Sequence, residues 1–335
     1  MIEEEAAVGQ LDETTLPVHR LDDNDVKHVA DVARSLEAVA DGRLDDPAWV
    51  AAARDRWEDL PTSLRRAVAA FRRHSGREGA LVLSGIPVEP PALPITPAVS
   101  GSVQQTATPG AAALVMLACG LGDPGAFLAE KSGMLVQDVV PVRGHEDFQG
   151  NLGSVELTFH NENAFHEHRP DFVLLLCLRP DHDRVARLRI SCVRNMLSAL
   201  SGRTKAALAK PEFTTDAPPS FGSGPSTRVI HPVLSGAPDD PDIRVDFAAT
   251  RALTDDARRA LAELGEVVDH SARTAFIQPG DLAIVDNRVA LHGRSAFRPR
   301  YDGADRWLQR SFAFTDLRRS RSLRADDGYI LSNAV

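Results

Sequence analysis

The 335-residue sequence predicts an α+β, mainly β fold: a β core of sandwich or barrel type with a helix-rich N-terminal third. Two observations predict it. Before residue 75, apolar residues recur at helical spacing; after residue 133, short apolar runs alternate with turn residues. No clean linker separates the two parts, so one domain over 1–335 is expected.

Residues 1–20 are acidic and aperiodic and read as a loose tail or an edge strand. A helix is expected over 22–41, where Val26, Val29, Val32, Ala33, Leu36 and Val39 share a face behind an Asp/Asn cluster. Pro47–Trp57 and Pro61–His74 read as two more helices, the second with Thr62 as N-cap. Ala80–Leu83 reads as a strand and Gly110–Cys119 as a buried helix. These elements make up a helix-rich part over 21–130.

The β core is expected over 131–335. Its strand candidates are Leu135–Val140, Glu156–Phe159, Phe172–Leu178, Arg189–Val193, Ile243–Phe247, Thr274–Ile277, Leu282–Val285 and Leu308–Phe314. Helical inserts are expected at Val193–Ala209 and at Thr254–Leu264, with Thr254 as cap. The Pro/Gly/Ser-rich segment 214–227 has the length and composition of a lid.

Composition narrows the function. A net charge of −9 argues against non-specific nucleic-acid binding. The longest apolar run, Phe172 to Leu178, is seven residues, against about twenty for a spanning helix. The N-terminus lacks the basic and apolar regions of a signal peptide. Three scattered cysteines without CxxC spacing fit a reducing, cytoplasmic setting. The partners expected are small molecules.

The densest polar cluster is FHNENAFHEH, residues 159–168. His160 and Glu162 are two apart, which on an extended segment puts both side chains on one face. An imidazole beside a carboxylate is two thirds of a facial metal triad, and a distant His completes it. HExxH is absent, which disfavours a zinc protease. His166 and His168 are further candidate imidazoles, but a facial triad needs neither.

HxE alone is a weak signal, and support comes from the C-terminal part. The segment PGDLAIVDNRVALHGR, 279–294, is a turn and an apolar strand leading into His292. Arg306 follows fourteen residues later and Arg310 four beyond that. If the last strand extends back to Arg306, both guanidiniums point into the core. Buried arginines are costly unless each meets an anion, so two of them suggest two carboxylates on two small molecules.

HxE, a distal His and an Arg fourteen residues on together resemble the iron(II)/2-oxoglutarate-dependent oxygenases of the clavaminate synthase-like group. The segments TFHNENAFHEHRPDFVLLLCLRP, VDNRVALHGR and PRYDGADRWLQRSF are similar to those of members that hydroxylate free L-asparagine at Cβ for lipopeptide antibiotic synthesis. The resemblance runs from about Trp49 to Tyr329.

It implies a double-stranded β-helix (jelly-roll) core with flanking, mostly N-terminal helices. It implies Fe(II) on His160, Glu162 and His292, with 2-oxoglutarate and O2 as co-substrates. Arg306 would take the distal carboxylate of 2-oxoglutarate, aided by the Ser191 hydroxyl, and Arg310 the amino acid's α-carboxylate. Glu130, Asn151 and Asp246 would line the substrate pocket, and the second oxygen of Glu162 would touch the α-ammonium. Their chemistry suits an ammonium and a carboxamide. Read without the resemblance, Glu130 is equally a surface charge near Lys131, Asn151 a turn residue and Asp246 a strand-end cap.

An Asp at 246 would reject aspartate by charge, yet it would equally receive the guanidinium of an arginine substrate. Glu162 argues against a halogenase, which needs room for chloride. A non-catalytic, cupin-like metal-binding protein is the remaining rival.

Overall fold

The computed structural model describes residues 16–90, 93–221 and 229–332. Along the chain it runs β1 (Val18–Arg20), α1 (Asp23–Arg34), α2 (Pro47–Trp57), α3 (Thr62–Arg73), β2 (Ala80–Ser84), α4 (Pro109–Leu121), β3 (Asp123–Phe127) and β4 (Gln137–Val139). Then come β5 (Leu157–His160), β6 (Phe172–Arg179), β7 (Leu188–Cys192), α5 (Val193–Met196), α6 (Gly202–Leu208), β8 (Phe213–Thr215), β9 (Ile230–His231), β10 (Leu234–Ala237), β11 (Asp240–Ile243) and β12 (Thr250–Ala252). The last elements are α7 (Asp255–His270), β13 (Arg273–Ala275), β14 (Asp281–Asp286), β15 (Ala290–Arg294), β16 (Trp307–Phe314) and β17 (Ile330–Leu331).

The fold is mixed α/β. A large sheet has the order β1-β2-β14-β6-β16-β3-β17, with β4 also paired to β16. A small sheet has the order β13-β7-β15-β5.

The period-2 alternation of β6 and β16 sorts the core into two layers. Val173, Leu175, Cys177, Leu308 and Phe312 pack in one cluster with Phe159, Leu188 and Ile190 of the small sheet. Phe172, Leu174, Leu176, Trp307 and Ala313 point the other way, into a cluster with α1, α2, α3 and α4. Both faces of these strands are therefore buried, which is why they read as unbroken apolar runs. α4 sits deepest: every residue from Gly110 to Leu121 is buried. Its N-terminus is capped by Thr108, whose hydroxyl accepts from the Ala111 amide.

Several expectations are corrected. The helix expected over 22–41 ends at Arg34, because the Trp49 indole donates to the Leu36 carbonyl and the chain turns through positive φ at Ala40 and Asp41. Pro61, not Thr62, occupies the cap position of α3. The insert at 193–209 is two short helices, α5 and α6, while α7 runs six residues past Leu264, to His270. No strand spans 243–247: β11 ends at Ile243, and Asp246 makes an isolated bridge to His160.

At the end of 1–20 the edge-strand reading holds, with β1 at one edge of the large sheet. Leu16 is buried and Val18–Arg20 pairs in parallel with β2, while residues 1–15 lie outside the described residues. The large sheet takes β2 and β3 from the part assigned to helices. Of the segment 214–227, Phe213–Thr215 is β8, and Phe221 is buried against Phe127 and Phe165. Residues 222–227 lie outside the described residues.

Candidate iron and co-substrate site

β5 and β15 are antiparallel neighbours in the small sheet, and His160 lies directly across from His292. Cross-strand partners project to the same face, so both imidazoles turn toward the large sheet, with ring centroids 4.3 Å apart. Glu162 comes in from the loop after β5, its Oε2 3.5 Å from His292 Nε2. One donor atom from each of these three residues lies within 4.8 Å of the others, the arrangement a single ion needs. His160 Nδ1 donates to the Thr158 carbonyl at 2.9 Å, which fixes the tautomer and leaves Nε2 as the ligand atom.

The electrostatics suit a divalent cation. Burial opposes ionisation of Glu162, but the Arg310 guanidinium, followed by His292 and His160, holds its carboxyl well below the usual carboxylate range. Burial, followed by His160, pushes the His292 imidazole below its ordinary value, which keeps it neutral and able to coordinate. His166 takes no part: it is a buried packing residue, edge-on to Phe127 at 4.9 Å, and its Nδ1 accepts from the His168 amide.

Two asparagines that the sequence reading did not single out clip the triad together. The Asn287 carboxamide meets the Glu162 backbone twice, accepting from its N–H at 2.8 Å and donating to its C=O at 3.0 Å. It also donates to the Pro170 carbonyl at 2.8 Å. Asn161, between the two HxE ligands, donates to the carbonyls of Asn287 and Ala290 and accepts from the Val245 amide. The loop bearing Glu162 is thus tied to the β14–β15 turn that precedes His292. Every polar atom of both side chains is satisfied, as a buried network requires.

Arg310 reaches across from β16. It donates to Glu162 Oε1 at 2.8 Å, to Glu130 Oε1 at 3.2 Å, and to Gln137 Oε1. The two oxygens of Glu162 are therefore divided, one facing the histidines and one accepting from Arg310. Asn163 donates to the other oxygen of Glu130 at 3.3 Å. Burial pushes the Glu130 carboxyl up against the pull of Arg310. Lys131 turns away and donates to the carbonyls of Ser102 and Asp138, so Glu130 is no surface pair.

Asp246 bridges His160 through its backbone. Its Oδ1 accepts from the amides of Ala248 and Ala249, the capping role open to it from sequence. Asn151 lies half-buried in the turn before β5.

Arg306 is buried on the inner side at the start of β16, its guanidinium 5.7 Å from the Phe297 ring centroid. Arg294, two residues past His292, is buried as well. Its Nη2 donates to the Val155 carbonyl, while its Nε has no hydrogen-bond partner among the described residues.

Ser191 is not part of this site. It pairs with Leu291, whereas His292 pairs with Ile190, so Ser191 projects from the opposite face of the small sheet. There its hydroxyl donates to the Val268 carbonyl of α7 at 2.9 Å and contacts the Ser271 hydroxyl at 2.7 Å.

Comparison with known proteins agrees with this geometry. The family model described as taurine catabolism dioxygenase TauD, TfdA family, matches residues 47–312. The L-asparagine oxygenase of Streptomyces coelicolor is 58% identical over 94% of each chain. A crystal structure of an asparagine oxygenase with Fe(II), (2S,3S)-3-hydroxyasparagine and succinate superposes with a TM-score of 0.91, at 58% identity over 95% of this chain and 99% of that one. A non-haem iron oxygenase holding Fe, succinate and (3S)-hydroxy-L-arginine is more distant, with a TM-score of 0.85 and 31% identity over 94% and 99% of the two chains. No helix among the described residues is long and apolar enough to cross a membrane. The chain belongs to the TauD/TfdA dioxygenase family.

Proposed function

We propose that the protein is an Fe(II)/2-oxoglutarate-dependent oxygenase that hydroxylates Cβ of free L-asparagine, converting 2-oxoglutarate and O2 to succinate and CO2. The observation that carries this reading is the triad of His160, Glu162 and His292 within 4.8 Å, accompanied by the two buried arginines Arg306 and Arg310. The 58% identity to an L-asparagine oxygenase over 94% of the chain supports the substrate. The product supplies nonribosomal peptide antibiotic synthesis.

When bound, Fe(II) supplies the O2 activation needed to attack an unactivated C–H bond. The protein's own part is positioning and charge. His160, Glu162 and His292 would hold the ion. Arg306 takes the distal carboxylate of 2-oxoglutarate and so fixes its orientation. Arg310 takes the substrate's α-carboxylate, and Glu130, already beside Arg310, takes the α-ammonium.

Asn151 and the unused oxygen of Asp246 bind the carboxamide. An aspartate side chain would set two carboxylates against each other there, so the pocket selects the amide. We read the two facing sheets as a double-stranded β-helix within one domain over 1–335. The protein is cytoplasmic with small-molecule partners only.

The test is anaerobic reconstitution with Fe(II) and 2-oxoglutarate, then exposure to air with each of the twenty amino acids and ornithine. Mass spectrometry reads succinate and oxygen-added product. Product from asparagine alone supports the whole reading. Product from arginine or lysine instead keeps the oxygenase and overturns the amide pocket. Succinate without product from any of them points to a carrier-bound substrate.

A further inference from the structure

We propose that Arg294 is a second cationic arm of the co-substrate site, meeting the distal carboxylate of 2-oxoglutarate from the small sheet while Arg306 meets it from the large one. This rests on the function proposed above and adds a residue to it.

Strand parity puts Arg294 in place. It is two residues past His292 on β15, and the ladder to β7 is regular between them, with His292 opposite Ile190 and Arg294 opposite Leu188. Arg294 therefore shares the inner face with His292, about 7 Å further along the strand. A five-carbon diacid chelated at the triad extends that far. Arg306 arrives from the other sheet, and the two guanidinium carbons lie 5.0 and 5.7 Å from the centroid of one ring, Phe297.

Burial then calls for an anion. Arg294 is 5% exposed and Arg306 6%. Among the described residues neither has a carboxylate at ion-pair distance. Asp181, which lies within electrostatic reach of Arg306, has both oxygens committed to the amides of Val185 and Ala186. Arg294 uses one donor on Val155, a bond that ties the loop before β5 but leaves its charge uncompensated. Two buried cations converging on one ring are tolerated where an anion joins them. The carboxylate of the diacid that this site is built to hold is that anion.

The experiment is calorimetric titration of the Zn(II)-loaded protein with 2-oxoglutarate and with 2-oxopentanoate, which has the same head and chain but no distal carboxylate. In the unsubstituted protein 2-oxoglutarate binds more tightly. Arg294→Met is expected to weaken 2-oxoglutarate by about tenfold or more and leave 2-oxopentanoate unchanged. Arg294→Lys, which keeps the charge without the fork, falls between, and it carries the test should the Met variant not fold. A ratio of the two affinities that stays at its unsubstituted value in the folded variant overturns the role of Arg294. No preference for 2-oxoglutarate in the unsubstituted protein overturns instead the co-substrate reading, and Arg306 with it.

Discussion

Arg306, just before β16, and Arg310, within it, stand four residues apart and are both almost fully buried, yet their surroundings differ. The charge of Arg310 is met within the protein by Glu162 and Glu130, with Gln137 beside them, and only its Nε lacks a partner among the described residues. Arg306, with Arg294 opposite it, has an aromatic ring and no carboxylate partner among the described residues. Arg310 is held in place by protein carboxylates before any ligand arrives, whereas the charges of Arg306 and Arg294 are left for an anionic ligand to meet. On the proposed function, Arg310 at one end of the cleft orients Glu162 and the substrate, and the arginines at the other hold the co-substrate.

The largest effect is expected from Glu162→Ala. It removes a metal ligand and one of the two carboxylates that compensate Arg310. Breaking a buried ion pair from one side costs about 3–5 kcal/mol. Turnover should fall to background, metal content after desalting should fall to the level of a chelator-treated control, and the urea midpoint should drop sharply. Retained metal with unchanged stability would break the contrast, since Arg310 would then not depend on its partners.

Asn287→Leu tests the clip without touching a ligand. The near-isosteric change strips partners from the N–H and C=O of Glu162 and from the Pro170 carbonyl. It should destabilise the fold by about 3 kcal/mol or more. Mn(II) affinity, read by titration, should fall about 10- to 100-fold, as for other residues that orient ligands. Unchanged Mn(II) affinity in a folded variant would mean that the triad holds its spacing without Asn287.

Asp246→Asn isolates charge from shape. An Asn keeps an oxygen to accept from the Ala248 and Ala249 amides, so the turn survives. The expected outcome is L-aspartate turnover by the variant, read by mass of the hydroxylated product. Loss of asparagine turnover with no gain for aspartate would remove Asp246 from the pocket.

How far the site was legible follows from what each residue depends on. His160, Glu162, His292, Arg306 and Arg310 depend on spacing along the chain, and spacing is visible in a sequence. Long buried elements were visible too: α4, β6 and β14 follow apolar runs. β15 was not resolved as its own strand, because the residues lining the site, His292 and Arg294, make it look like a polar tail. The partners of Asn161, Asn287 and Gln137 come from register between distant strands and loops, which no single stretch of sequence encodes. Ser191 failed for the same reason: its face is set by the pairing of β7 with β15.

Gln137→Leu probes the satisfied end more gently. Gln137 lies across from Arg310 in the β4–β16 ladder, accepts from its guanidinium, and is itself oriented by donating to the Met134 carbonyl at 3.3 Å. The asparagine KM should rise about tenfold while the 2-oxoglutarate KM stays put. A rise in both would mean that the two ends of β16 are not independent.

The smallest effect is expected from Ser191→Ala. The serine hydroxyl bonds to α7, behind the small sheet, so alanine should cost about 1 kcal/mol of stability and nothing in co-substrate affinity. The 2-oxoglutarate KM, measured beside that of Arg294→Lys, separates the two residues on neighbouring strands of the same sheet. A one-residue change of register reverses the face of every side chain on a strand. A raised KM in the serine variant would therefore mean that β7 and β15 pair one residue out of step. Ser191 would then face the cleft, because His292 and Arg294 share a face of β15 whichever register β7 takes, and the unsatisfied end would hold a hydroxyl beside its two arginines.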